Sequence, residues 1–124
     1  MVKNRLISGI FMVFLSVVLG AIAAHSLPKI LPDPSVVSFR TGVDYLQLMG
    51  IVLILGSLEK LAMPRISFRF LVVSVFCFSG SIFALAFKSK LAFSVSFLGP
   101  ITPVGGLLMM LGLGIWAWRI WKSN

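Results

Sequence analysis

The stretch Leu6–Leu27, LISGIFMVFLSVVLGAIAAHSL, decides what kind of protein this is. It contains no Asp, Glu, Lys or Arg. A helix needs about 20 apolar residues to cross the hydrocarbon core of a bilayer, and this run supplies them. Lys3 and Arg5 precede it, while His25, Pro28 and Lys29 mark its far end. A secretory signal has a similar layout, and Ala21-Ile22-Ala23 resembles a cleavage site. The apolar run is longer than the roughly 7–15 residues of a signal core, however. It also places Ser16, Gly20 and Ala24 at helical spacing, as a packing face would. The expectation is a retained membrane helix.

The whole composition agrees. Hydrophobic residues make up 59% of the 124-residue chain and charged residues 11%, too few charges to cover a water-facing surface. The excess apolar surface needs a bilayer as its solvent. A net charge of +8 raises the question of nucleic acid. The Lys and Arg residues lie between and beside the apolar runs rather than along one face, so nucleic acid is not an expected partner. The chain has one cysteine, Cys77, which allows no intrachain disulfide and no cysteine-based metal site.

Working outward from the first span, Pro28, Pro32 and Pro34 interrupt any helix between Pro28 and Arg40. Asp33-Pro34 is a helix start, with an acceptor at the cap and proline at the first position. A helix from Pro34 to Ala62 would be roughly 43 Å long, more than the ~30 Å core. Either Pro34–Arg40 lies in the interface or the helix bends near Thr41-Gly42, and the second span proper is read as 42–62. Pro64, Arg65 and Arg69 make a basic turn, and Ser67 caps a third span, 68–87, closed by Lys88 and Lys90. Leu91–Ile101 reads as an interfacial connection. Thr102-Pro103 is a second cap-and-proline pair, opening a fourth span, 103–121. Trp116, Trp118 and Trp121 near its end suit an aromatic belt. The predicted fold is therefore a single all-α domain over 1–124, a bundle of four transmembrane helices.

Four spans put the N-terminus, the second loop and the C-terminus on one side. That side carries Lys3, Arg5, Lys60, Arg65, Arg69, Arg119 and Lys122, against Lys29, Arg40, Lys88 and Lys90 opposite. The positive-inside rule then expects both termini in the cytoplasm. With this topology the unusual polar and small residues fall in the outer half. They are His25, Arg40, Asp44, Tyr45 and Gln47, then Ser79-Gly80-Ser81, then Thr102, Pro103, Gly105 and Gly106. Arg40 and Asp44 are spaced i, i+4 and can pair on one helix face. An intramembrane acid is a functional candidate, but a shallow Asp44 bonded to Arg40 would only anchor the helix. His25 has no second His for a metal site, so an interfacial anchor or helix cap is the plainer reading. The serines lack the oriented base that a nucleophile needs, and small-residue helix packing accounts for them.

Four short stretches, in this order and spacing, resemble the YgdD-like small inner-membrane proteins, a group that includes eukaryotic transmembrane protein 256. They are Gly20-Ala21-Ile22-Ala23-Ala24-His25, Thr41-Gly42-Val43-Asp44-Tyr45 with Gln47, Phe78-Ser79-Gly80-Ser81, and Ile101-Thr102-Pro103-Val104-Gly105-Gly106. The resemblance implies a four-helix protein of the bacterial inner membrane and no particular activity, since the group is catalogued as a domain of unknown function. This chain departs from the pattern at Met49, where the group commonly has His, at Phe83, where it has a hydroxyl-bearing aromatic, and at Ala23, where it has Gly. Three functions compete. A non-enzymatic binding or support protein, using the outer cluster against another membrane protein or a second copy, is favoured because no catalytic set is present. A small transporter or channel subunit would need an oligomer to form a pore. A quinone or haem binder would have to use His25 and Asp44, and the expectation is that no cofactor is bound.

Overall fold

The computed structural model describes residues 2–123 and contains four long helices: α1 (Val2–His25), α2 (Asp33–Gly56), α3 (Arg65–Ala86) and α4 (Ile101–Lys122). Each is long and apolar enough to cross a membrane. Short 3-10 turns at Leu27–Lys29, Glu59–Leu61, Lys88–Lys90 and Ser96–Leu98 complete the described chain, which has no strand among the described residues. Successive helices pack on one another, α1 on α2, α2 on α3 and α3 on α4. Burial follows that order. In the most apolar window of each helix, 39% of α2 is buried inside the bundle but only 17% of the α4 segment.

The boundaries of the second span differ most from expectation. The helix begins at Asp33, where the Asp33-Pro34 pair predicted a start, with Pro32 rather than Asp33 at its cap and Pro34 in its first turn. Asp33 makes no side-chain cap bond and lies inside the first turn, where a carboxylate suits the helix dipole. Gly42 does not bend the helix. A Cβ at that position would lie 2.6 Å from Phe83 Cε1, so the glycine admits an aromatic ring against the backbone. The helix also stops early, at Gly56 rather than Ala62. Met63 folds back there, donating its backbone N–H to the Gly56 carbonyl at 3.0 Å and pressing its side chain onto the glycine. Leu58–Ala62, which carries Glu59 and Lys60, belongs to the turn.

Smaller corrections follow the same logic. α3 starts at Arg65 with Pro64 at the cap, so Ser67 is not a cap but a fully buried residue of the first turn. α4 starts at Ile101 with Pro100 at the cap, which leaves the Thr102 hydroxyl free for another helix. On α1, Ser16 is buried and Gly20 meets Val43, whereas Ala24 is exposed. The closer approach of α1 to α2 lies at Gly9 and Gly50, where a Cβ on Gly9 would sit 2.7 Å from the Gly50 carbonyl oxygen. Small residues bring backbones together, and that closeness provides the dispersion energy on which membrane helices depend.

Two apolar clusters fill the interior. One joins Met12, Leu46, Met49, Leu53, Leu71, Val75 and Met109, with Met63 at its edge. The other lies towards the His25 end and contains Ala23, Leu27, Leu31, Val36, Phe39, Val43 and Ala86. Phe39 contacts Phe83 at 4.7 Å and Phe87 at 6.0 Å between ring centroids.

Candidate functional site

The early start of α2 carries its first turn to the ends of its neighbours, since Val36 packs with Leu27 and Ala86. Asp44 lies about two turns below Val36. It lies about 16 Å from the first residue of α2, at the midpoint of a 24-residue helix. Its neighbour Tyr45 packs against Phe78 of α3, the rings tilted by 60° with centroids 4.7 Å apart. Leu46 shares the central cluster with Val75 and Met109. Asp44 therefore stands in the half of the bundle that carries His25, close to the level where Ser79 meets Gly42 and Gly105 meets Phe78.

The outer cluster divides into two sets that point in opposite directions. The inward set joins helices. Ser79 donates to the Gly42 carbonyl at 2.8 Å, bridging α3 to α2, and Ser81 shares a 2.5 Å hydrogen bond with Thr102, bridging α3 to α4. Gly105 lets α4 lie directly on the Phe78 backbone, while Gly106 is in ordinary contact with the Phe78 ring. Satisfying hydroxyls in this way matters in hydrocarbon, where no water competes for them.

The outward set consists of Arg40, Asp44 and Gln47, all exposed on the face of α2 turned away from the core. Val37, Leu48, Ile51 and Leu55 are exposed with them. Arg40 and Asp44 hold the expected spacing, yet among the described residues no ion pair within 4.0 Å joins them. His25 is exposed at the end of α1. Gly80 and Pro103 are exposed too, and Gly80 has open space where a side chain would stand. Met49, which replaces the group's His, is buried in the core. Among the described residues no three of His, Cys, Asp and Glu gather as a metal site would require.

Arg5 was not expected in the interior. It was read as a flanking charge, but it is buried, donates to the Met63 carbonyl and lies 5.4 Å from the Phe68 ring centroid. Helical register carried the signal, because Arg5, Gly9, Met12 and Ser16 follow one packing stripe.

These features define a small, multi-pass, all-helical membrane protein. The family described as "Protein of unknown function (DUF423)" matches residues 19–106, and the chain belongs to that family. A UPF0382 membrane protein of Haemophilus influenzae is 32% identical over 114 residues, spanning 90% of this chain and 88% of its own length. A UPF0382 membrane protein of Schizosaccharomyces pombe is 35% identical over 100 residues, with 79% and 85% covered. The UPF0382 membrane protein YwdK of Bacillus subtilis is 29% identical over 114 residues, with 88% and 89% covered. No solved structure matches the chain. The matched family region takes in all four resemblance stretches, Gly20–His25, Thr41–Gln47, Phe78–Ser81 and Ile101–Gly106.

Proposed function

We propose that this protein is a non-enzymatic membrane component that associates, through the outward face of α2, with a helix of another membrane protein or of a second copy. The observation that carries the reading is the position of Asp44 and Gln47. They lie three residues apart on one face of α2, two to three turns in from the His25 end and exposed to the surroundings of the bundle. A carboxylate and an amide facing lipid are costly, and such groups ordinarily find polar partners in the membrane. A neighbouring helix that offers a donor to each would relieve that cost and fix the register of association. The reading includes a location in the bacterial inner membrane with both termini cytoplasmic, supported by the excess of Lys and Arg on that side. It also includes identity of this family with the YgdD-like group, supported by the four shared stretches.

Cysteine cross-linking in native membranes tests the association. In a Cys77→Ser background, a cysteine at Ile51, on the Asp44 face, is expected to give a discrete adduct, and one at Phe76 on α3 is not. Asp44→Asn should weaken the Ile51 adduct while leaving insertion intact. An adduct unaffected by the Asp44 change would remove the acid from the interface.

A further inference from the structure

The end of the bundle that carries the α1 N-terminus and the α2–α3 turn contains a hollow of about 190 Å³ lined by Asn4, Arg5, Arg65, Phe68 and Arg69. Three guanidinium groups border it, and no carboxylate does. Arg5 is only 7% exposed, held between the Met63 carbonyl and the Phe68 ring. Its Nε has no hydrogen-bond partner. A buried cation with an unused donor is an incomplete arrangement, and an anion completes it. α3 also begins here, at Arg65, with no acid in its first turn and no side-chain cap. Its first backbone N–H groups lack acceptors within the helix and favour negative charge.

The shape of the neighbouring cleft identifies the class of anion. Directly beside the basic hollow, and sharing Phe68 with it, runs a cleft of about 410 Å³. Met12 and Leu15 of α1 line one side, Val72 and Phe76 of α3 the other, and Leu46 of α2 contributes between them. Phe68 to Phe76 covers about 12 Å along the helix, so the cleft descends well into the apolar zone. A free phosphate would use only the hollow. A molecule with a phosphate at one end and a hydrocarbon chain at the other would use both.

We propose that the α1–α3 cleft binds one anionic glycerophospholipid, with its phosphate at Arg5, Arg65 and Arg69 and one acyl chain along the cleft. This site is separate from the outward face of α2 and does not depend on the association proposed for it. Native mass spectrometry of the full chain in mild detergent, titrated with phosphatidylglycerol or phosphatidylcholine of matched acyl chains, is the test. Phosphatidylglycerol should be retained roughly tenfold better, as expected for a headgroup held by several arginines. Arg65 and Arg69 are exposed, so Arg65→Gln with Arg69→Gln should fold and bring the two lipids level. Val72→Trp, which fills the cleft and leaves the charges, should weaken retention of phosphatidylglycerol several-fold. Equal retention of both lipids by the unmodified chain would overturn the proposal. So would a phosphatidylglycerol preference that survives loss of both arginines. Displacement of phosphatidylglycerol by millimolar inorganic phosphate, with Val72→Trp having no effect, would reassign the hollow to free phosphate. A dimer abolished by Val72→Trp would give the cleft to a second copy and overturn the lipid.

Discussion

A methyl group at position 105 would lie 2.5 Å from the Phe78 backbone nitrogen and 2.9 Å from its Cα, and neither atom belongs to a side chain that can swing aside. Gly105→Ala must therefore separate α3 from α4 locally, and a loss of about 1–3 kcal/mol is expected from overpacking of this kind. Gly114 lies in the same helix with nothing within reach of a Cβ, so Gly114→Ala should change stability by less than ~0.5 kcal/mol. Thermal unfolding in detergent distinguishes them, and equal midpoints would show that the helices do not meet at Gly105. The Ser79 hydroxyl offers a milder case. Its bond to the Gly42 carbonyl should be worth about 0.6 kcal/mol and no more than about 1.7, and Ser79→Ala should lose that amount in the same assay. Sequence alone marked Ser79, Ser81 and Gly105 as helix-packing residues and Thr102 as a helix cap. It did not reveal which helix each one meets, because that depends on the relative rotation of neighbouring helices.

At the scale of the element, α2 shows where local signals succeed and fail. The prolines at 32 and 34 were legible as a helix start, since proline is tolerated only in the first turn. The far end was legible only in part, because Glu59 and Lys60 interrupt the apolar run after Leu58 and such charges also close the last turn of a membrane helix. The stop comes from Met63 returning onto Gly56, a contact between the two sides of a turn. Gly42 misled in the other direction, because a glycine that weakens a helix in water serves in a membrane as a seat for a neighbour's side chain. Single cysteines in a Cys77→Ser background can locate the helix directly. Asp33→Cys and Leu61→Cys should react with a membrane-impermeant maleimide from opposite sides, and Leu48→Cys from neither. Protection at Leu61 with reaction at Val37→Cys would restore the span 42–62.

At the scale of the whole molecule, the four resemblance stretches come from four helices but gather at one level. Val43 meets Gly20, Gly42 receives Ser79, and Thr102 and Gly105 close on Ser81 and Phe78. The fold class and this gathering were legible, because length, hydropathy and the order of turns leave little choice for four spans. The division of the cluster into a structural half and an outward half was not legible. Arg40, Asp44 and Gln47 share one face of α2, and only the packed bundle shows that this face is left uncovered.

The bond from Arg5 to the Met63 carbonyl spans 58 positions of the chain. Ribosomes make proteins from the N-terminus, so α1 emerges first, with its arginine lacking that acceptor. The acceptor is made only after α2 has emerged in full and the chain has turned. Until then α1 is placed by its apolar length and by its contacts with α2 at Gly50 and Val43, without the tie at its basic end. Synthesis of the α2–α3 turn supplies that tie, so the basic end of the first helix is fastened only after the second has been made.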